Sequence, residues 1–331
     1  MDKHVSFGQG VTIMKRFCIL DKYKKIISLA VCICFGSMLF APVVLADVTQ
    51  PAAQGAAKTK IAAAILEPVA SGITVLSNEK AMIDASNAKD GYIMAAYKTA
   101  TDKKLKLRIT GPDKVVYTYN LNQEGNYETF PLSGGEGKYS IAVYENISGS
   151  KYATAYSTTL TVMLTDEYAP YLRANQYVNY KADSEAVKKA AELVKDKTTA
   201  LEKIAAVYQY TVTTLTYDKE KAKTVKSGYL PNVDTVLAEQ KGICFDYAAL
   251  MTAMLRSQGI PTRLVVGYAG DVYHAWINTF IPEKGWIEGI IYFDGETWKL
   301  MDPTFASSAK QSKQIMEYIG NGQNYTAKYL Y

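Results

Sequence analysis

The chain is poor in the residues that crosslink a fold or ligate metals. Its cysteines are Cys18, Cys32, Cys34 and Cys244, and its histidines are His4 and His274. All but Cys244 and His274 lie at or before an apolar amino-terminal run over residues 26–46. Beyond that run no disulfide can close within the chain. One thiol and one imidazole are also too few strong ligands for a structural zinc site, and no acidic cluster has the spacing of a calcium loop. Positive charge is lacking too: once residues 1–46 are set aside, 31 Lys and Arg face 30 Asp and Glu. No basic stripe remains that would neutralise several phosphates, which excludes nucleic acid as an expected partner.

What is present begins with Lys15, Arg16, Lys22, Lys24 and Lys25, followed by the apolar run and Val44-Leu45-Ala46. A basic region, an apolar stretch and small residues before a cut describe a secretory signal peptide over residues 1–46, cleaved after Ala46. An uncleaved membrane anchor is the alternative, since the run is long enough to span a bilayer. The expected location is secreted or cell-envelope associated, with no membrane span after cleavage. A solitary thiol left in an oxidising compartment calls for a functional explanation.

Residues 47–72 are rich in alanine without periodicity and read as a linker. Over residues 73–165 short alternating runs such as KLKLRITG and KYSIAVYEN, separated by Gly111-Pro112 and Gly134-Gly135, predict an antiparallel β-sandwich of immunoglobulin-like type. The tyrosines there are strand formers packing across a sheet rather than a carbohydrate-stacking face. Residues 166–331 turn helical, with Ser184 and Thr199 as expected N-caps. A third helix starts near Cys244 and stops at Gly259-Ile260-Pro261. The runs TRLVVGY, HAWINTF, WIEGIIYF and TWKLMD then read as strands, the last two joined at Asp294-Gly295. Helices followed by an antiparallel sheet define an α+β domain.

Cys244 falls at the expected first turn of its helix, where unpaired N–H groups and the dipole favour a thiolate. The same N–H groups can donate to an oxyanion. His274, opening a strand, is the imidazole available as base and acid. Asp302, ending a strand before Pro303, is suited to hold the imidazole tautomer.

Gly242-Ile243-Cys244, the long helix ending in Gly-Ile-Pro, His274-Ala275-Trp276 and Met301-Asp302-Pro303-Thr304 appear in the order found in the transglutaminase-like superfamily, which residues 200–306 resemble. The resemblance implies a papain-like Cys-His-Asp core, helices packed on an antiparallel sheet, in which Cys244 is the nucleophile, His274 the general acid and base, and Asp302 the orienting group. It also implies an oxyanion donor before the nucleophile, at the place held by Tyr217, and makes Trp276 a brace for the His274 strand. The expected activity is thiol acyl chemistry on peptide or glutamine-type amides, with hydrolysis favoured. A protein-crosslinking transglutaminase and a non-catalytic surface-binding module on the same fold are the alternatives. Gly242-Ile243-Cys244-Phe245 departs from the Gly-Gln-Cys-Trp of animal crosslinking enzymes. No cofactor or metal is expected. The expected partner is a protein or peptide substrate, with association to the cell wall or surface left open.

Overall fold

The computed structural model describes residues 65–282, 284–288, 291–293, 298–300 and 325–331. The signal segment, most of the linker, the Asp294-Gly295 turn and Asp302 lie outside the described residues.

Eight strands come first: β1 Val75–Ser77, β2 Ala81–Asp84, β3 Tyr92–Tyr97, β4 Leu105–Thr110, β5 Val116–Leu121, β6 Glu128–Pro131, β7 Gly137–Ser148 and β8 Lys151–Val162. They pair antiparallel in two sheets, ordered β1-β2-β3-β6 and β5-β4-β7-β8. Alternation drives the burial. In β5, Tyr117, Tyr119 and Leu121 are buried while the residues between them are exposed, as period-two side chains on a half-buried strand require. The aromatics of this region serve the core: Tyr119 packs edge-on against Phe130 at 4.9 Å, and Tyr139 is buried with its hydroxyl donating to the Leu132 carbonyl.

The second half carries α1 Glu185–Val194, α2 Ala200–Thr214, β9 Thr216–Tyr217, α3 Lys219–Thr224, α4 Val233–Glu239, β10 Lys241–Gly242 and α5 Cys244–Arg256. After these come β11 Thr262–Ala269, β12 Val272–Ile281, β13 Gly285–Ile287, the backbone pair β14 Ile291–Phe293 and β15 Trp298–Leu300, and β16 Tyr325–Leu330. The principal sheet is ordered β13-β12-β11-β16 and is antiparallel throughout. Helix α5 packs on β11 and β12 and is also touched by α1, α2 and α4. Every residue of α5 from Asp246 to Arg256 is buried, which makes it the axis of an α+β layer.

Two helix starts show how local chemistry sets the elements. Thr199 caps α2 with a full capping box: its hydroxyl accepts the Glu202 N–H at 3.2 Å, and Glu202 accepts the Thr199 N–H at 3.0 Å. Ser184 stands at the N-cap of α1 but makes no capping bond, because its hydroxyl accepts the Lys181 N–H instead. The N–H of Ala186 in that first turn donates to Asp234 of α4 at 2.9 Å, so the two helices are stapled end to side. The α5 helix stops where Gly259 takes a left-handed φ of 74° and its N–H reaches the Arg256 carbonyl.

The far end of α5 is fixed by Arg256. Its Nε donates to the Thr262 carbonyl at 2.8 Å, and its two terminal nitrogens donate to the carbonyls of Arg173 and Tyr331 at 2.6 Å each. The guanidinium is only 3% exposed, and burial pulls its pKa down to about 10.

Among the described residues no helix is long and apolar enough to cross a membrane.

Candidate functional site

Cys244 is the first residue of α5 and is half-buried against the core. The N-cap before it is Ile243, which has no side-chain oxygen to offer the helix. Half of a capping box is nevertheless built from the other direction, since the Ile243 N–H donates to Asp246 Oδ2 at 2.8 Å. The N–H groups of the first turn are the orphan donors of the helix, and Cys244 stands in that turn.

Tyr217 is carried to the same place by backbone pairing. Strand β9 runs parallel to β10 with Tyr217 beside Gly242, and the flanking bonds Thr216 N–H to Gln240 O and Asp218 N–H to Gly242 O are both 2.8 Å. The residue proposed from sequence as an oxyanion donor therefore sits in register with the residues leading into Cys244.

His274 lies on β12 opposite Gly267 of β11. Its side chain is 5% exposed and stacks on Trp276 at 6.3 Å, while Trp276 in turn packs edge-on against Tyr325 of β16 at 5.3 Å. Trp276 is thus the brace of the His274 strand. Gly267 is needed opposite: a Cβ there would stand 2.0 Å from the Thr326 carbonyl oxygen and 2.9 Å from the Trp276 ring.

Tyr273, immediately before His274, is 58% exposed. Burial of its phenol raises its pKa first, and the charges it feels from Tyr329, Tyr268 and Cys244 add to that. Alternation along the strand sends the Tyr273 ring, which packs on Tyr268 at 5.5 Å, and the His274 ring to opposite faces. The structure thus carries Cys244 and His274 on contacting elements, α5 and β12, and brings Tyr217 alongside Gly242. Asp302 lies outside the described residues.

Sequence reasoning missed Asp246, Lys221 and Tyr229. Asp246 is fully buried two positions after Cys244; Lys221 Nζ lies 2.8 Å from its Oδ2, and the Tyr229 hydroxyl donates to its Oδ1. The available signal was an acid at the third position of a helix whose N-cap is apolar. It gave no indication of the partners.

A cavity of about 300 Å³ opens elsewhere, at Glu67, Tyr127, Glu128, Asn175, Gln176 and Tyr180, and neither Cys244 nor His274 lines it. Its carboxylates are occupied: Glu128 accepts from Gln176 and Asn122, and Glu67 from the Ala182 N–H. The amide atoms of Asn175 and Gln176 that have no partner are sealed from solvent. Among the described residues no group of acidic, histidine and cysteine side chains is arranged to hold a metal ion.

Comparison with known proteins places a family resemblance on the second half of the chain. The family model described as the transglutaminase-like superfamily matches residues 187–289, a stretch that contains Tyr217, Cys244 and His274. That stretch is similar to the transglutaminase-like superfamily. Among curated proteins, the uncharacterized protein YebA of Bacillus subtilis is 31% identical over 118 residues, 30% of this chain and 16% of that protein. A protein-glutamine gamma-glutamyltransferase of Pseudomonas aeruginosa is 29% identical over 98 residues, 25% of this chain and 13% of that protein. The chain thus spans less than a fifth of either relative's length. Among solved structures, a candidate cysteine protease from Cytophaga hutchinsonii aligns at TM-score 0.34 and 15% identity, covering 70% of this chain and 69% of that one. Red sea bream transglutaminase aligns at TM-score 0.27 and 15% identity, covering 64% and 48%. Likeness at these scores carries no functional weight.

Proposed function

We propose that the protein is an exported thiol enzyme acting on peptide or glutamine-type amides, with Cys244 as nucleophile, His274 as general base and acid, Asp302 as the orienting carboxylate and Tyr217 as an oxyanion donor. The observation that carries the proposal is the position of Cys244 at the first turn of α5 with Tyr217 held in register beside Gly242. A thiolate at that point attacks the amide carbonyl carbon, and the oxygen that becomes negative meets first-turn N–H groups and a phenol. His274 delivers the thiol proton to the leaving amine, whose departure leaves a thioester on Cys244. Water then attacks the thioester, His274 takes its proton, and the carboxylic acid leaves as the thiolate is restored.

Hydrolysis is favoured because Cys244 is half-buried rather than enclosed, so water can reach the thioester. Transfer to an amine requires a site that excludes it. The activity for which the Pseudomonas relative is named supports the second reading, a crosslinking transglutaminase that passes the acyl group to an amine. Export is supported by the basic segment and apolar run of residues 15–46, and a protein or peptide at the cell wall or surface is the matching substrate class.

The test is turnover of a peptide amide library with product mass detection. Cys244→Ala should lower turnover at least about a thousandfold, and His274→Ala nearly as far, because the two act as one unit. Products heavier by an added amine identify transfer, and products carrying a new carboxylate identify hydrolysis. Substantial residual activity in both variants sinks the assignment.

A further inference from the structure

Asp246 poses an electrostatic problem. It is a fully buried carboxylate in the same helical turn as the thiol. It is needed there, because it takes the Ile243 N–H that no N-cap side chain can take. Yet negative charge in the turn that carries a thiol disfavours the thiolate form. Left alone, the group that fixes the start of α5 would oppose the ionisation that the first turn promotes.

The bonding around it answers this. Lys221 of α3 places its ammonium 2.8 Å from Asp246 Oδ2 and also donates to the Tyr229 hydroxyl, which donates to Asp246 Oδ1. Helix α3 buries no residue of its own, so apolar packing does not explain where it sits. It is tied by charge through its N-cap, Asp218, and through Lys221 in its first turn. Asp218 Oδ1 accepts the Lys221 N–H at 2.9 Å and Asp218 Oδ2 meets Lys241 at 3.2 Å, while the Asp218 N–H donates to the Gly242 carbonyl. The bonds form a closed circuit from Gly242 through Asp218 and Lys221 to Asp246 and back to Ile243.

We infer that Lys221 is a positioning residue for the nucleophile: with Tyr229 it neutralises Asp246, so that a carboxylate fixes the start of the Cys244 helix without opposing the thiolate. The inference rests on the reading of Cys244 as the reactive thiol. Other ionisable groups stand on the elements packed against this turn. β10 brings Lys241, engaged by Asp218; β12 brings Tyr273 and His274, and β11 brings Tyr268; α2 brings the buried Tyr208. Asp234 of α4 is turned to the Ala186 N–H of α1. The hydrogen bonds and ion pair of Asp246 go to Ile243, Tyr229 and Lys221.

The experiment follows iodoacetamide alkylation of Cys244 in the full chain, by mass of the peptide that contains it, from about pH 5 to 10. In Lys221→Met the profile should move up by about one pH unit, about tenfold slower labelling near neutrality. Asp246→Asn keeps a side-chain oxygen for the Ile243 N–H and removes the charge, so its profile should stay or move down. The double variant should return to within about twofold of wild type. A purely structural brace would instead slow both single variants, and that result, or an unmoved profile in Lys221→Met, overturns the inference. Should Lys221→Met fail to fold, Lys221→Gln retains a donor and loses the charge, and the same shift is required of it. His274→Ala in the same assay separates the two readings: an unmoved profile there sinks the thiol–imidazole pair and leaves the Lys221 result standing.

Discussion

Gly242 lies directly against Asp246. A Cβ at position 242 would stand 2.5 Å from the Asp246 Cβ and 2.9 Å from its Oδ2. The first is a backbone-proximal atom with no freedom to withdraw. Glycine is required here by close approach rather than by backbone angle. Gly242→Ala should therefore push Asp246 off the Ile243 N–H and displace Cys244. A loss of about 1–3 kcal/mol of stability, as overpacking typically costs, with slower alkylation of Cys244, is the expected outcome in denaturant unfolding and labelling. A fully stable variant with wild-type thiol reactivity would show that the turn tolerates rearrangement.

The register of Tyr217 beside Gly242 makes a kinetic prediction. Tyr217→Phe keeps the ring and removes only the proton donor. If the phenol serves the oxyanion, kcat should fall by about a hundredfold with KM little changed, the pattern of a bond made chiefly in the transition state. An unchanged kcat assigns Tyr217 to packing.

Acid stability should depend on a site far from Cys244. Glu145 is held by hydrogen bonds from Lys80 at 2.6 Å and from the Tyr97 hydroxyl at 2.7 Å, with Lys103 at 3.5 Å. These contacts bring its pKa down to about 2 from an ordinary 4.5. Because the folded value is depressed, the stabilisation is complete above the unfolded pKa and is lost as pH falls from about 4.5 towards 2. Glu145→Gln should flatten the fall of melting temperature across that window and leave the slope above pH 5 unchanged. An equally steep acid transition in the variant would assign it to other carboxylates.

Arg256 supplies a stability prediction. Replacement by alanine removes three hydrogen bonds, two of them buried, and leaves a void, so a loss of about 3–5 kcal/mol is expected in denaturant unfolding. Arg256→Lys reaches too few of the carbonyls and should recover only part of it.

Much of this architecture could be read from the sequence because its signals are local. The alternation of β4 and β5, the Thr199 capping box and the Gly259-Ile260-Pro261 stop each state their structure within a few residues. What escaped is non-local or weakly marked. Helix α3, Lys219–Thr224, is polar all round and has no apolar stripe to detect. Helix α4 ends on Gln240, which takes the left-handed conformation at φ 51° where a glycine would have signalled the stop. Strand β16 pairs with β11 across more than fifty residues of intervening chain, and no period announces such a partner. The candidate site divides the same way. Cys244, His274 and Tyr217 are nominated by residue type and motif, whereas Lys221 and Tyr229 reach Asp246 from a segment that carries no motif at all.

The sandwich strand β5 meets the sheet of the other half through its tyrosines. Tyr117 packs on Tyr329 and Tyr331 at 5.5 and 5.6 Å and its hydroxyl accepts the Leu330 N–H, while Tyr119 meets Tyr331 at 5.9 Å. Tyr331 in turn contacts Tyr177 at 4.4 Å and offers its carbonyl to Arg256. A fragment cut away after residue 165 would bare this aromatic seam and surrender the far anchor of the Cys244 helix to solvent. The amino-terminal sandwich is therefore not a passenger that truncation can shed: it is one wall of the mould in which the carboxy-terminal half is cast.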